Sequence, residues 1–415
     1  MTVAWELKEI SEIAEIYNGN SISKKDKEKL YSGIIDGTPY VGTKDVGFDH
    51  VIDYDNGVLI PEAKTKDFKT APADSVLVCS EGGSAGRKVA HNIRDTHFGN
   101  KLFAIVPGAS AVGKFIYYYT LSAEFQKSFK ALMAGVIGGV SLKKFKSIKL
   151  PICPKSEQKR IVALLDEAFS GIDSAIANTD KNLANARELF ESYLSEIFGR
   201  EMQGATKTTL AKLCEPKTIT YGVIKLGDHI SDGVPCLRTS NVRRLWIDTD
   251  GMKLISPSLS EQYERTILNG GEVLVNVRGT LGGVAVASTD MKGWNVSREV
   301  AVVPVDNHQI DPHYAAYWIA TKESQNWLTG VIKGVAYKGI NLTDLRELPI
   351  YLPDIDRQAK IVSDLNGMAL TTRNLVDLYS RKLIALDELK QSLLLKAFSG
   401  ELTADNNDQM DEEVA

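Results

Sequence analysis

Gln158-Lys-Arg-Ile161-Val162-Ala-Leu-Leu165 in the first half of the chain returns as Gln358-Ala-Lys-Ile361-Val362-Ser-Asp-Leu365 in the second, 200 residues on (358 − 158 = 200). Glu188-Leu189-x-x-Ser192-x-Leu194-x-x-x-Phe198-x-x-Glu201 returns at the same offset as Glu388-Leu389-x-x-Ser392-x-Leu394-x-x-x-Phe398-x-x-Glu401. Upstream of each helical phrase a second set repeats. Gly37-Thr-Pro-Tyr-Val-Gly-Thr-Lys-Asp-Val46 becomes Gly233-Val-Pro-Cys-Leu-Arg-Thr-Ser-Asn-Val242 (233 − 37 = 196). Val76-Leu-Val78 becomes Val273-Leu-Val275, and Ile105-Val-Pro107 becomes Val302-Val-Pro304, both at offset 197 (273 − 76; 302 − 105). A globular unit followed by a long helix is written twice, so one job is done twice.

The helical phrases carry a narrow apolar stripe. In the first copy it runs Ile161, Leu165, Ala168, Ile172, Ile176, Thr179, Leu183, Ala186, Phe190, Tyr193, Ile197. In the second it runs Ile361, Leu365, Met368, Thr372, Val376, Tyr379, Leu383, Leu386, Leu393, Ala397. Steps of three and four over so many turns predict coiled-coil helices rather than ordinary core helices. At 1.5 Å per residue each is roughly 60 Å long. Two such helices most simply bury their seams against each other, antiparallel. Gly199 and Gly400 stand where helix-ending glycines belong.

Upstream of each helix, short β-like runs such as Val76–Cys79 and Lys101–Val106 alternate with Gly, Pro, Asn and Asp, and a helical stretch falls near Lys114–Leu132. Pro151 and Pro154 close the first domain, and Pro349 and Pro353 the second. The expected fold class is mixed α/β (α+β): two domains separated by two long antiparallel coiled-coil helices, with an internal pseudo-twofold repeat. The expected boundaries are 1–154, first domain; 155–200, first helix; 201–353, second domain; 354–404, second helix; and 405–415, a disordered acidic tail.

Composition narrows the class. A chain of 415 residues suits roughly two to four domains. It is 43% hydrophobic and 25% charged, as globular proteins are, and has no apolar run long enough to span a bilayer. The start, Met-Thr-Val-Ala-Trp-Glu, does not read as a secretory signal, and the scattered Cys79, Cys153, Cys214 and Cys236 suggest reduced thiols; the expectation is a cytoplasmic protein. The net charge of −4 argues against nucleic acid without excluding it, because a local basic face matters more than the total.

Enzyme signatures fail. Gly108-Ala-Ser-Ala-Val-Gly113-Lys114 matches the start of a phosphate-binding loop, but Phe115 stands where Ser or Thr must hold magnesium, and Val305-Asp-Asn-His308 in the second copy has none of it. There is no GxGxxG or HExxH, no Asn-Pro-Pro-aromatic tetrapeptide, and no His/Cys set at metal-ligand spacing. The expected catalytic and metal residues are therefore none. Two non-catalytic domains on a spacer read as a binding protein.

Leu150-Pro-Ile-Cys-Pro154, then Glu157-Gln-Lys-Arg-Ile-Val-Ala-Leu-Leu-Asp166 with Ile172-Asp173, and the closing Lys396-Ala-Phe-Ser-Gly-Glu-Leu-Thr-Ala404, resemble the DNA specificity subunits of type I restriction–modification enzymes. The resemblance covers the whole chain. The second helix departs from it at Asp356-Arg357-Gln358 and Gly367, and the first domain carries about 17 extra residues between Gly19 and Gly37. The resemblance implies two target-recognition domains, each reading half of a split, asymmetric target in double-stranded DNA. It implies helices that space the domains and dock two adenine-methyltransferase subunits, and two ATP-dependent restriction subunits recruited to the assembly. S-adenosylmethionine, ATP and magnesium would serve the complex, with none bound by this chain. Two readers on one face of B-DNA lie near one helical turn apart, roughly 34 Å. The alternative expectation is a coiled-coil adaptor that scaffolds other proteins without DNA.

Three recurring loops carry the donors expected to meet DNA. The first holds Thr43 and Lys44, against Arg238, Thr239, Ser240, Asn241, Arg243 and Arg244. Arg grips guanine bidentately and Asn grips adenine, which makes Arg238 and Asn241 the foremost base readers. The second holds Ser84, Arg87 and Lys88, against Arg278 and Thr280, among glycines that let a backbone approach closely. The third pairs Asn100-Lys101 with Ser297-Arg298 at offset 197 (297 − 100). Lys24 and Lys25, in the insertion of the first copy, are expected phosphate contacts. Recurring Gly and Pro positions are expected to be scaffold, and the residues that differ between copies to set specificity.

Overall fold

Val76-Leu-Val-Cys79 and its counterpart Val273-Leu-Val-Asn276 are buried along their whole length, as short apolar runs rich in β-branched residues are when they form central strands. The computed structural model describes residues 5–134, 138–332 and 339–403. Its backbone falls into two compact units, Met1–Asp180 with Arg381–Ala415, and Lys181–Ser380. The acidic stretch 405–415 lies outside the described residues.

In the first unit the central strand Val76–Cys79 lies between Leu102–Pro107 and Val89–His91, with Ala14–Asn18 beyond, every pair antiparallel. A second small sheet has the order Leu59–Ile60, Thr38–Val41, Thr96–Phe98, Thr70–Ala71, and its Tyr40↔His97 pairing is parallel. Helices Gly113–Leu121, Ala123–Leu132 and Leu142–Lys146 cover the first sheet. A ribbon of Glu6–Glu9 with Lys149–Ile152 closes the domain where the chain enters the long helix Lys155–Glu201.

The second unit repeats the plan. Its sheet is Thr220–Tyr221, Val300–Val303, Val273–Asn276, Val284–Val286; its small sheet is Lys253–Ile255, Val234–Leu237, Asn295–Val296, with Cys236↔Asn295 parallel. Thr206–Thr209 pairs with Pro349–Leu352 ahead of the second long helix, Ile355–Ser399.

Each unit takes the start of one long helix and the end of the other. In the first, Ile161, Leu165 and Phe169 share a core with Leu394, Ala397 and Phe398. In the second, Ile361, Val362 and Leu365 share one with Phe190, Leu194 and Phe198. The helix segments in each unit therefore run antiparallel. The expected stripe needs correction at its ends. Leu194 and Phe198 are the buried residues rather than Tyr193 and Ile197, and Phe169 rather than Ala168. There the helix packs on a domain, not along a heptad seam. The Phe198 ring lies 5.2 Å from Tyr314 and 5.3 Å from Trp318, and Phe398 lies 5.1 Å from Phe115 and 5.2 Å from Tyr119. Gly199 does not end its helix, which continues to Glu201, whereas Gly400, at φ 83°, does follow the last helical residue.

One buried side chain fixes each junction of domain and long helix. The Gln158 carboxamide accepts from the Val112 N–H at 2.9 Å and donates to the Ser110 and Cys153 carbonyls, each at 2.8 Å. Gln358 accepts from Asp311 N–H at 2.9 Å and donates to the carbonyls of Gln309 (3.2 Å) and Pro353 (2.9 Å).

Candidate nucleic-acid interface

The first recurring loop is the same turn in both units. Asp45 accepts the Gly42 N–H at 2.8 Å, and Asn241 accepts the Arg238 N–H at 3.0 Å. The backbone then folds back in the same way, one residue sooner in the second unit, Asp53 N–H to Asp45 O at 2.8 Å and Asp248 N–H to Asn241 O at 2.7 Å. Asn241 is 1% exposed, and its amide donates to the carbonyls of Asp248 (2.9 Å) and Asp250 (3.4 Å). This corrects its expected role: its donors and its acceptor all hold backbone, so it organises the loop and leaves nothing to offer adenine. Arg238 is also turned inward, donating to the Gly251 carbonyl at 2.9 Å, with a buried Nε. The residues this turn presents outward are Lys44, with Thr43 half-buried beside it, and Ser240, with Thr239 half-buried.

Beyond the turn, Val46↔Ile52 and Val242↔Ile247 bridge matching hairpin tips. Arg244 does not point to solvent. It forms a bidentate pair with Glu191, its Nη2 lying 2.8 Å from Glu191 Oε2, and donates to the Ala320 carbonyl at 2.6 Å. Burial lowers the pKa of its guanidinium. Arg244 is thus corrected from a DNA contact to a brace between hairpin and long helix. Arg243 lies more open, 3.5 Å from Asp248. In the first unit the tip carries Phe48, 56% exposed, with the Arg87 guanidinium 5.0 Å and the Lys88 ammonium 5.1 Å from its ring. Lys88 also donates to the Thr43 carbonyl at 3.1 Å, which joins the first loop to the second. In the second unit the buried Asn276 makes the same junction, donating to the carbonyls of Thr239 (3.3 Å), Val242 (3.0 Å) and Thr280 (3.0 Å). Sequence reading missed Asn276, Phe48 and the half-exposed Trp246; two exposed aromatics at matching loop tips were the available signal.

The third pairing is off by one. Tyr40↔His97 matches Cys236↔Asn295, and Gly99 N–H to Val41 O (2.9 Å) matches Ser297 N–H to Leu237 O (2.8 Å). The offset is 198 (295 − 97), so Gly99 corresponds to Ser297, Asn100 to Arg298 and Lys101 to Glu299. Ser297 is fully buried, its hydroxyl without a partner among the described residues, and is withdrawn as a DNA contact. Asn100, Lys101, Ser240, Arg278 and Thr280 are exposed, Arg298 is half-exposed, and Ser84 is half-buried with its hydroxyl 3.3 Å from Cys79 Sγ. Lys24 and Lys25 lie exposed on the short helix Lys24–Asp26, where Lys24 is 3.8 Å from Glu28. Nearby, Lys27 sits 4.6 Å over the Tyr40 ring, and burial lowers its pKa.

The phosphate-loop resemblance is accidental. Lys114 pairs with Asp166 at 2.8 Å and Phe115 is fully buried, so neither is free for a nucleotide or its metal. Burial pushes the thiols of Cys153, Cys214 and Cys236 up to about 12, which leaves them protonated and inert. Among the described residues no group of three or more His, Cys, Asp or Glu side chains could hold a metal ion, and no helix is long and apolar enough to cross a membrane.

The sequence profile of the type I restriction modification DNA specificity domain matches residues 2–184 and 192–372, one copy per repeat. The chain belongs to this family. Among curated specificity subunits, that of the type I restriction enzyme EcoBI from Escherichia coli is 23% identical, over 97% of this chain and 87% of that protein. That of EcoKI, from Escherichia coli strain K12, is 24% identical over 84% of this chain and 79% of its own length. Among solved structures, a chain from work on complex assembly and conformational transition of the type I R-M system superposes with a TM-score of 0.75 at 17% identity, covering 97% of this chain and all of that one. The HsdS subunit from Thermoanaerobacter tengcongensis gives a TM-score of 0.60 at 18% identity, covering 96% and 97%. The specificity-subunit fold thus spans both repeats.

Proposed function

We propose that this specificity subunit reads a bipartite, asymmetric DNA target, one half with each domain, and does no chemistry itself. One observation carries the reading. The two units share one loop scaffold, bond for bond at Asp45 and Asn241, yet present different side chains from it. A duplicated reader whose copies differ outward suits two unlike half-sites.

The partners follow from the same reading. Leu370, Leu378, Ile384, Leu389 and Leu395 are between 46% and 69% exposed along the second long helix, more apolar surface than a free helix ordinarily leaves to water. We assign that surface to two adenine-methyltransferase subunits, with two ATP-dependent restriction subunits joining the assembly, in the cytoplasm. S-adenosylmethionine, ATP and magnesium belong to those partners; the one phosphate-loop-like stretch here does not fit a nucleotide.

The test is to map methylated adenines in genomic DNA from cells carrying this chain with its candidate methyltransferase subunit. One split, asymmetric motif that depends on this chain is the expected result. In vitro, the complex should bind that motif with an affinity that falls steeply as salt rises. Methylation indifferent to this chain, with no salt-sensitive DNA binding, would return the chain to an adaptor role.

A further inference from the structure

Comparing the two units separates scaffold from reader. Positions that hold the fold keep their chemistry in both copies. Asp45 and Asn241 cap the same turn, Gln158 and Gln358 lock the same junction, and Ser122 and Thr321 cap the same helix. One pair of exposed positions does the opposite on a backbone that is just as well preserved.

Ser80 N–H donates to Lys101 O at 2.9 Å and accepts at its carbonyl from Val140 N–H at 3.0 Å. Val277 N–H donates to Glu299 O at 2.8 Å and accepts from Ile340 N–H at 2.8 Å. The next residues, Glu81 and Arg278, bridge to Gly139 and Gly339 in the same way. The backbone equivalence therefore sets Glu81 against Arg278 and Lys101 against Glu299, with both signs inverted. In the first unit Glu81 pairs with Lys101 at 2.8 Å, the side chains 46% and 60% exposed. In the second, Glu299 lies 3.7 Å from Arg298, and Arg278 has no ion-pair partner among the described residues. Open backbone adjoins both. A side chain at Gly82 or Gly83 would meet nothing within 4 Å, and one at Gly279 only Thr239 Oγ1 at 3.7 Å.

We propose that Glu81 and Arg278 are equivalent base-reading positions whose opposite charges make the two half-sites chemically different, an inference that rests on the DNA-reading function above. The Arg278 fork of donors, unpaired among the described residues, matches the O6 and N7 acceptors of guanine. Glu81 offers only acceptors and takes an exocyclic amino group, N4 of cytosine or N6 of adenine. A carboxylate beside phosphates needs a counter-charge, and Lys101 supplies it. The half-site of the second domain contains a G·C pair read through guanine; that of the first contains a pair read through an amino group. Discrimination at the Arg278 position is roughly 5- to 150-fold, the usual worth of a bidentate base contact.

The test uses the full chain expressed with its methyltransferase partner, with genome-wide adenine-methylation mapping of the parent, Arg278→Ala, Arg278→Lys, Glu81→Ala and Glu81→Gln. Arg278→Ala should relax one G·C pair in one half of the motif, and Glu81→Ala one pair in the other half, all remaining positions unchanged. Arg278→Lys should relax the same pair, because lysine lacks the planar fork. Among the described residues Arg278 makes no side-chain bond to lose, and Glu81 loses only an exposed ion pair, so thermal melting of these variants should stay close to the parent, and the lysine and glutamine variants repeat the test should an alanine variant unfold. A motif unchanged by every substitution, or methylation reduced alike at all sites, would overturn the assignment. A parent with no motif dependent on this chain would instead overturn the proposed function.

Discussion

Gln158 accepts a hydrogen bond from the backbone N–H of Val112 at 2.9 Å, although 46 residues separate them. The same side chain holds two further carbonyls, and it is fully buried. Truncation would strand one donor and two acceptors where water does not reach. Gln158→Ala, or Gln358→Ala in the second unit, should destabilise its unit by about 2–5 kcal/mol. In thermal denaturation of the full chain that is a fall of roughly 5–15 °C in the transition of the altered unit. An unshifted melt would mean that water enters and replaces the amide.

Asn241 should behave as a structural residue. Asn241→Ala leaves the Arg238 N–H and the Asp248 and Asp250 carbonyls without their partner and should cost about 1–3 kcal/mol. Asn241→Asp keeps the acceptor for Arg238 N–H but turns a carboxylate toward two carbonyls, so it should fall at or below the alanine variant. Asp45→Asn keeps the acceptor for Gly42 and gives up partly solvated charge contacts with Lys44, 3.6 Å away, and Lys27, so it should change stability by less than about 1 kcal/mol. Chemical denaturation orders the three. If Asn241→Ala melted like the parent yet changed the methylated motif, the base-reading role would return.

Arg244 and Glu191 should be strongly coupled. The pair is bidentate and partly buried, with side chains 35% and 29% exposed, and Arg244 also holds the Ala320 carbonyl. A double-mutant cycle with Arg244→Ala and Glu191→Ala should give a coupling energy of about 1–3 kcal/mol, above the value for exposed pairs. A coupling near zero would show that the brace is solvated and contributes nothing.

Two histidines of the first unit set a pH dependence. Burial holds the His50 and His97 imidazoles below the usual value of 6.5. Protons therefore bind the unfolded chain more readily. This contribution to stability is complete above about pH 6.5, and declines as pH falls from there through the folded values. The midpoint of thermal unfolding should drop between pH 7.5 and pH 5.5, and drop less in a His50→Gln, His97→Asn double variant. Equal drops in both proteins would assign the acid sensitivity to other groups.

Much was legible in the linear order of residues. Duplicated phrases marked two domains and two long helices because burying one face of a helix demands apolar residues every three or four positions, and such spacing survives in sequence. Buried strands such as Val76–Cys79 were equally plain. The strand match at Leu102–Pro107 was not. Ile105-Val-Pro107 and Val302-Val-Pro304 look alike, but hydrogen-bond register pairs Ile105 with Val76 and Val303 with Val273, a slip of one residue that apolar strands hide. That slip placed the buried Ser297 among the expected DNA contacts and concealed the inversion of Lys101 to Glu299.

The sequence by itself determined the duplication, the helices and the family resemblance, because each is a matter of residue order and period. Only the tertiary structure decided which donors face outward. Asn241, Arg244 and Ser297 have the composition of DNA-reading residues, and Arg278 shares it. The first three are drawn inward by backbone carbonyls, by Glu191 and by burial, while Arg278 stays exposed, its fork unpaired among the described residues. A polar side chain finds its partners through space, from residues 3 to 76 positions away in Asn241 and Arg244, and no local pattern in the sequence encodes the longer distances.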